Sequence, residues 1–166
     1  MILLGVLAIL LILAFFIFVF VILFGAPYVP TLKNQRQNAL KLLDLKPGQK
    51  FYELGSGDGT MLIEAAQRGW AAVGYELNPI LVIISRVRAR RYKGRVRVVW
   101  GNFWKADISD ADGIFVFQLD RLMERLDSKI KRETAGRKLK LASNAFRVPG
   151  KKPTGKSGSV FLYRYP

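Results

Sequence analysis

The stretch Phe51-Tyr-Glu-Leu-Gly-Ser-Gly-Asp-Gly59 decides the fold class of this chain. Its first four residues are typical of a short buried strand, and a helical pattern begins directly after the third glycine, at Thr60. Glycines allow left-handed backbone conformations and let a ligand come close to the chain, and the N-terminus of a helix offers free N–H groups. The stretch therefore predicts a strand, a ligand-binding turn and a helix, in that order.

The glycine spacing and the charge beside it narrow the class of ligand. The pattern is Gly-x-Gly-x-Gly, and Thr60 occupies the position where a dinucleotide fingerprint would place its third glycine. Glu53 lies two residues before the first glycine, and a carboxylate there repels a pyrophosphate but suits a cationic ligand. A glycine turn that only closes a strand–helix unit is the alternative.

A second strand, predicted over residues 71–75, ends at Glu76. A carboxylate is a bidentate acceptor, so an acidic residue at this strand tip can hold both ribose hydroxyls of a nucleoside. The stretches Glu53-Leu-Gly-Ser-Gly-Asp-Gly59 and Gly74-Tyr-Glu76 together resemble the first two motifs of the Rossmann-like S-adenosylmethionine methyltransferases.

Strands and helices alternate along the rest of the chain. The predicted strands are 51–54, 71–75, 95–100, 113–117, 138–145 and 159–164, and the predicted helices are 32–43, 61–67, 79–92 and 119–131. Thr31 is the predicted N-cap of the first of these helices, and residues 148–158 are predicted to be a basic loop. The alternation predicts a Rossmann-like α/β domain with a mostly parallel sheet, helices on both faces and an antiparallel last strand.

Residues 2–24 contain no charged or polar side chain. As a helix they would extend roughly 35 Å, enough to cross a hydrocarbon core of about 30 Å. A cleaved signal peptide is the alternative, but it would need a basic segment ahead of a shorter apolar core, and no basic residue precedes this span. We predict one uncleaved transmembrane helix, with residues 1–26 as the anchor. Because basic residues begin at Lys33, the positive-inside rule places the domain formed by residues 27–166 in the cytoplasm.

The composition excludes several kinds of chemistry. The 166 residues include no cysteine and no histidine, which removes disulfides, thiol nucleophiles, Cys/His metal sites and any imidazole base. The sequence also has no calcium-loop pattern, so no metal site is predicted. The formal net charge is +15, and the basic residues are spread from Lys33 to Arg164, which indicates a basic domain rather than a basic tail.

Further stretches resemble one family of enzymes. They are Pro27-Tyr-Val-Pro-Thr31, Gly74-Tyr-Glu-Leu-Asn-Pro79, Trp104-Lys105, Leu122-Met123 and Phe146 with Pro149-Gly150, together with the glycine stretch and the apolar span. On these motifs the chain is similar to the membrane-anchored lysine methyltransferases typified by the mitochondrial enzymes for the adenine nucleotide translocase and the ATP synthase c-subunit, with their short prokaryotic relatives. The resemblance covers roughly residues 1–150 and implies S-adenosylmethionine as the cofactor.

The resemblance also implies which residues bind this cofactor. Glu53 would face its methionine amino group, Glu76 would bind its ribose, and Asn102 and Phe103 would flank its adenine. The full predicted set is Tyr28, Thr31, Glu53, Gly55, Ser56, Gly57, Asp58, Gly59, Glu76, Leu77, Asn78, Asn102 and Phe103.

Alternatives remain open at three of these positions. Asp58 could bind the methionine end of the cofactor or cap the following helix, and Phe103 could simply pack in the core. Tyr28 and Thr31 would close over the cofactor, although Tyr28 could instead be an interfacial anchor residue.

The acceptor is predicted to be a lysine of another membrane protein near the cytoplasmic interface. The domain begins only a few residues beyond the apolar span, so its reach is a thin layer next to the bilayer. Asp120, after the fourth strand, is predicted to orient the incoming amine, with capping of the next helix as the alternative. Methylation of a lipid headgroup or a small amine is a further alternative.

The predicted helix that begins at Pro79 carries Arg86, Arg88, Arg90 and Arg91, followed by Lys93. This basic surface could be an ordinary solvated face, a contact for anionic lipid headgroups or a contact for nucleic acid. Nucleic acid is the least favoured, because no recognisable RNA-binding module accompanies the charge. A basic nucleic-acid-binding module on a methyltransferase fold is therefore the second hypothesis for the whole chain.

Overall fold

The computed structural model describes residues 2–24 and 29–166, apart from the side chains of residues 2, 17 and 20–24. The helices are α1 (Ile2–Phe24), α2 (Lys33–Leu43), α3 (Thr60–Gln67), α4 (Pro79–Ala89) and α5 (Met123–Glu133). The strands are β1 (Lys50–Leu54), β2 (Ala71–Glu76), β3 (Val96–Trp100), β4 (Gly113–Val116), β5 (Leu139–Asn144), β6 (Gly155–Ser157) and β7 (Val160–Tyr165). Short 3-10 helices cover Arg90–Tyr92, Phe103–Lys105 and Asp120–Leu122.

The strands form one sheet in the order β3-β2-β1-β4-β5-β7-β6. Strands β1 to β5 pair in parallel, and β7 pairs antiparallel with both β5 and β6. The strand order reverses between β1 and β4, and in parallel sheets such a reversal leaves a crevice at the carboxyl ends of the strands. The predicted Rossmann-like α/β fold with a mostly parallel sheet is confirmed.

Each face of the sheet is covered by a separate apolar cluster. On one face, Leu40 and Leu43 of α2 and Met61 and Leu62 of α3 pack with the inward side chains of the strands. On the other face, the apolar stripe of α5, formed by Met123, Leu126 and Ile130, fills the corresponding space. Helices therefore lie on both faces, as the alternating pattern predicts, and the crevice edge is left for a ligand.

The structure corrects two local predictions. Thr31 does not cap α2, because the N-cap is Leu32, whose backbone N–H donates to the Gln35 side chain at 3.1 Å. The predicted basic loop contains the short edge strand β6, which pairs with β7. Its sequence, Gly155-Lys-Ser157, has too few apolar residues to show the period of a strand.

Helix α1 covers the apolar span for which a membrane anchor is predicted. Among the residues that the structure describes, no helix was found to be long and apolar enough to cross a membrane. The connection from α1 to the domain, residues 25–28, lies outside the described residues. The anchor therefore stays a prediction.

Candidate active site

A cavity of about 560 Å³ opens at the carboxyl ends of β1, β2 and β4. Its volume lies within the range of about 300–1,000 Å³ that is usual for small-molecule and cofactor sites. Its position is the crevice created by the reversal of strand order. The predicted cofactor-binding residues that line it are Thr31, Glu53, Gly55, Ser56, Gly57, Asp58, Glu76, Leu77, Asn78, Asn102 and Phe103.

The glycine turn after β1 wraps around the end of β2. The backbone N–H groups of Gly55 and Ser56 both donate to the Tyr75 carbonyl at 2.9 Å. Gly55 and Gly57 have φ values of 92° and 51°, in the left-handed region that favours glycine. A Cβ added at Gly55 would meet no atom within 4 Å, so this position faces open space in the cavity. The turn therefore leaves the room that a ligand needs beside the backbone.

Glu76, at the tip of β2, has its carboxylate fixed by the backbone. One oxygen accepts the Gly57 N–H at 2.8 Å, and the other accepts the Asn78 N–H at 2.8 Å. A carboxylate has about four acceptor sites, so lone pairs remain for hydroxyl groups in the cavity. The geometry thus presents a pre-oriented pair of acceptors, which is what binding of a ribose diol requires.

Glu53 is the most unusual group in the cavity. Its side chain is buried, and its Oε2 has no hydrogen-bond partner among the residues that the structure describes. Burial, together with the nearby charges of Asp58 and Glu76, raises the pKa of Glu53 well above its usual value, and Arg36 opposes this only in part. A buried acceptor without a partner is costly unless a ligand completes it. Glu53 therefore suits a cationic donor, as the sequence predicts.

Arg36 of α2 is a lining residue that the sequence analysis missed. Its guanidinium pairs with Glu64 of α3 at 3.0 Å and donates to the Thr31 carbonyl. Arg36 thus ties the segment before α2 to the rim of the cavity, and this places Thr31 where the sequence predicts it. The pairing joins residues 28 positions apart, and no local pattern reports such a contact.

Asp58 stabilises the start of α3, and Gly59 allows this turn to pack closely against α4. Asp58 accepts from the Thr60 N–H at 3.1 Å and the Thr60 hydroxyl at 2.8 Å, and it forms an ion pair with Arg88. Burial alone would raise the pKa of Asp58, but the hydrogen bonds from Thr60 and the Arg88 charge lower it. Gly59 is not among the lining residues, because it faces α4: a Cβ there would lie 2.1 Å from the Ser85 hydroxyl oxygen.

The segment after β3 forms another wall of the cavity. The Asn102 side chain accepts the Trp104 N–H at 3.0 Å and caps the 3-10 helix Phe103–Lys105. Within the described part of the chain, its NH₂ group donates to no other residue and remains available to a ligand. Phe103 both lines the cavity and packs in the core, where its ring centroid lies 4.7 Å from that of Trp104. Phe103 therefore packs in the core, and its place in the cavity wall leaves the role beside adenine a prediction.

The part of the cavity beside β4 and β5 is aromatic. Phe117 follows β4 and Phe146 follows β5, and their rings stack with centroids 6.5 Å apart. Ala145 also lines this aromatic end with φ 67°, a left-handed conformation that is costly for alanine and that concentrates at functional sites. Sequence reasoning missed these residues, although the resemblance included Phe146.

Asp120 is not brought into the site. Its side chain is exposed and does not line the cavity, and its backbone carbonyl accepts the Met123 N–H. The same segment instead presents Gln118, Leu119, Arg121 and Leu122 to the cavity. The 3-10 turn at Asp120–Leu122 rotates the Asp120 side chain away, whereas the prediction assumed a helix from Leu119 onward. Tyr28, the remaining predicted residue, lies outside the described residues.

The residues present fit S-adenosylmethionine. Its α-ammonium group would complete the orphaned Glu53 oxygen, its ribose would meet Glu76, and its adenine would lie against Phe103 and Asn102. A buried Glu53 oxygen that lacks a partner among the described residues suits a cation, and the pre-oriented acceptor pair of Glu76 suits a diol.

The ANTKMT methyltransferase domain is a family whose sequence model matches residues 53–155. The match extends over more than half of the chain and takes in the end of β1 from Glu53 onward, the glycine turn, Glu76 and the aromatic end of the cavity. The chain belongs to this family. The predicted family is confirmed, while the membrane anchor that the prediction included lies outside the matched residues.

Curated relatives in this family are lysine methyltransferases. The ATP synthase c-subunit lysine N-methyltransferase of Homo sapiens is 38% identical over 109 residues, 64% of this chain and 46% of that protein. A protein-lysine N-methyltransferase of Saccharolobus islandicus (strain REY15A) is 31% identical over 131 residues, 76% of this chain and 81% of that protein. The chain spans about half the length of the ATP synthase c-subunit lysine N-methyltransferases that it matches.

A solved structure supports the cofactor. The RNA methyltransferase from Salinibacter ruber, in complex with S-adenosyl-L-homocysteine, superposes with a TM-score of 0.75 at 27% identity and covers 82% of this chain and 92% of that one. The predicted enzyme class, an S-adenosylmethionine-dependent methyltransferase, is confirmed, and so is S-adenosylmethionine as its cofactor.

Proposed function

We propose that the protein is a membrane-anchored protein-lysine N-methyltransferase that acts on a membrane-associated protein. One observation carries the choice of a lysine: a single cavity joins the cofactor cradle at Glu53 and Glu76 to an aromatic end at Phe117 and Phe146. A long, flexible, unbranched side chain with a terminal amine fits such an end.

The chemistry requires alignment and desolvation rather than an imidazole or thiol. S-adenosylmethionine supplies an electrophilic methyl group on a sulfonium sulfur. The amine must arrive neutral, and an apolar aromatic wall favours the neutral form because desolvation lowers the pKa of a lysine. Phe117 and Phe146 would exclude water and orient the amine, while Glu53 and Glu76 hold the donor. A chain without histidine or cysteine can do this.

Residues 2–24 support the membrane part of the proposal, since they carry no charged or polar side chain. We propose that residues 1–26 anchor the protein as a single-pass membrane protein and that residues 27–166 face the cytoplasm. The tether between the apolar span and α2 is eight residues long, from residue 25 to residue 32. It would confine the cavity to a layer near the headgroups and raise the effective concentration of membrane-bound acceptors.

Incubation of membranes with the full chain and methyl-labelled S-adenosylmethionine tests this function. We expect label in lysines of membrane proteins, and at least about ten-fold less label with the Glu76→Ala variant when the cofactor concentration is below its wild-type Kd. Label found only in the lipid fraction or in small amines would contradict a lysine acceptor and would favour a lipid headgroup or a small amine as the acceptor. Equal labelling of soluble and membrane proteins by the anchored enzyme would contradict the confinement argument.

Methylation of RNA is a second candidate, and two observations favour it: the similarity to the Salinibacter ruber RNA methyltransferase and the net charge of +15. Against it, the curated relatives with higher identity are lysine methyltransferases. The same labelling experiment with total RNA separates the two, since label that becomes sensitive to ribonuclease would establish an RNA acceptor.

A further inference from the structure

Helix α4 carries an apolar stripe on its outer face. Ile80, Ile83, Ile84 and Val87 are 50%, 62%, 41% and 55% exposed, and their i, i+3, i+4, i+7 spacing places them on one side of the helix. The opposite side, formed by Val82, Ser85 and Ala89, is buried against the sheet. The stripe therefore adds nothing to the core of the domain.

The exposed apolar surface continues onto the edge of the sheet. Trp100 ends β3, the edge strand beside α4, and it is 63% exposed. Its indole N–H donates to the Leu77 carbonyl at 3.0 Å, which holds the ring next to the start of α4. We call Ile80, Ile83, Ile84, Val87 and Trp100 the α4 patch. Beyond α1, the other large exposed hydrophobic residues of the described chain are Val29 and Leu32, next to the predicted anchor.

Basic residues surround the α4 patch. Residues 77–101 include six arginines, one lysine and no acidic residue. Arg86 and Arg90 flank the stripe on one side, and Arg88 flanks it on the other. Arg91 lies just beyond the C-terminal end of the stripe, in the 3-10 helix that follows α4. Arg88 pairs with Asp58, and Arg86 donates to the Val98 carbonyl. The other exposed basic residues of this segment include Arg90, Arg91, Lys93 and Arg97.

We propose that the α4 patch docks on an anionic lipid surface. Interfacial helices combine apolar residues that enter the headgroup–acyl boundary with basic residues that meet anionic headgroups, and tryptophan is enriched at that depth. Each basic residue held near an anionic surface adds to the attraction, so the exposed arginines act together. The proposal rests on the proposed membrane attachment and adds to it which face of the domain lies on the bilayer.

The combination of arginines and apolar side chains favours a lipid surface over a second copy of the chain or nucleic acid. A second copy of the chain would meet the α4 patch about a two-fold axis, so the arginines of both copies would oppose each other. Nucleic acid would suit the arginines, but its backbone offers no apolar surface for four aliphatic side chains. A lipid surface satisfies the apolar centre and the basic surround together.

Docking through the α4 patch would also orient the active site. Asn78 caps the start of α4, and both Asn78 and Leu81 line the cavity. A bilayer in contact with α4 would therefore lie beside the cavity. This geometry would favour acceptor lysines that sit close to the headgroups.

Single-cysteine labelling of the full chain tests the proposal, since the sequence contains no cysteine. Ile83→Cys places a fluorophore in the patch, Val87→Cys repeats the measurement, and Lys156→Cys is the control on β6, the opposite edge of the sheet. Each labelled chain is reconstituted into vesicles with about 30% phosphatidylglycerol and headgroup-level spin-labelled lipid quenchers. Equal thermal unfolding of the labelled variants would show that all remain folded.

We expect quenching at positions 83 and 87 to be at least about two-fold stronger than at 156, and weaker in phosphatidylcholine vesicles or with Arg90→Glu and Arg91→Glu added. Equal quenching at 83 and 156 would overturn the proposal. So would self-quenching at 83 that rises with protein concentration, which would assign the patch to a second copy, or protection of 83 by RNA but not by lipid. Resistance to extraction by alkaline carbonate reports the anchor separately.

Discussion

The Glu76 carboxylate accepts the backbone N–H of Gly57 at 2.8 Å, so the tip of β2 and the glycine turn after β1 are one unit. The second carboxylate oxygen holds the Asn78 N–H in the same way. Glu76 thus both offers acceptors to a ribose and fixes the turn that approaches the rest of the cofactor. Its substitution should therefore cost more than one ligand contact.

Glu76→Ala should weaken S-adenosylmethionine binding by about 1.5–3 kcal/mol, the scale for hydrogen bonds to a charged group. Glu76→Gln should lose less, because its amide oxygen can still accept one of the two backbone N–H groups. Titration calorimetry with the cofactor measures both. Glu124→Ala, an exposed position on α5, is the control and should bind normally. Wild-type affinity in a folded Glu76→Ala protein would refute this site.

Glu53→Gln should stabilise the ligand-free protein while weakening cofactor binding. Because burial raises the folded-state pKa of Glu53, the wild-type protein loses stability as the pH rises above the unfolded value of about 4.3. The variant should therefore match wild type near pH 4 and exceed it by about 1 kcal/mol or more near pH 7. Thermal unfolding in detergent across this range measures the difference. A variant that is less stable at neutral pH would show that Glu53 is already paired without ligand.

The contribution of Asp58 to stability should change with pH in the direction opposite to that of Glu53. Its lowered pKa means that its stabilisation is present above the unfolded value of about 3.9 and is lost as the pH falls through the folded one. Asp58→Ala removes the hydrogen bonds from Thr60 and the Arg88 ion pair, and should cost about 1 kcal/mol near pH 7 and little once the pH has fallen below the lowered folded-state pKa of Asp58.

Asp58→Asn is the matched variant that tests the hydrogen bond from the Thr60 N–H. It keeps an acceptor for the Thr60 N–H and should recover part of the stability. Its cofactor affinity should stay within about three-fold of wild type, since the Asp58 carboxylate is already engaged by Thr60 and Arg88. A larger loss of affinity would assign Asp58 to the methionine end of the cofactor.

Most of the fold can be predicted from the sequence, because its strands and helix starts are determined by residues that are close together along the chain. Buried parallel strands are short apolar runs, and Asn78 with Pro79 marks the start of α4: the Asn78 side chain accepts the Ile80 N–H at 3.0 Å and Pro79 is the first helical residue. Glu53 and Glu76 were found for the same reason, since each directly borders a strand end. Gly59 was predicted to bind the cofactor, whereas the structure places it against the Ser85 side chain of α4 and outside the cavity lining.

What the sequence did not reveal depends on contacts between distant segments or on a change of helical type. Arg36 reaches the cavity only because α2 packs beside α3 and pairs with Glu64. The outward turn of Asp120 follows from a 3-10 start where the apolar period suggested a continuous helix. The apolar stripe of α4 has a helical period, but periodicity alone cannot say which face meets the sheet.

Phe146→Ala should impair use of the acceptor and leave the cofactor in place. The Phe146 carbonyl is held by the Ser143 hydroxyl at 2.7 Å, and the ring stacks on Phe117 at the aromatic end of the cavity. Loss of the ring should lower kcat/KM for the lysine acceptor by ten-fold or more, about 1.4 kcal/mol of barrier, with cofactor affinity within about two-fold of wild type. Steady-state kinetics with a peptide acceptor, paired with cofactor calorimetry, measures both quantities.

Asp120→Asn is the matched comparison, because Asp120 was predicted from sequence to orient the amine yet its side chain lies outside the cavity. Turnover should stay within about two-fold of wild type, since removal of an exposed charge that touches neither substrate nor cofactor leaves the transition state unchanged. A ten-fold loss with Asp120→Asn and none with Phe146→Ala would mean that the amine enters across the Asp120–Leu122 turn. The aromatic end of the cavity would then be core packing, and the lysine would have to approach the methyl group from the opposite side of β4.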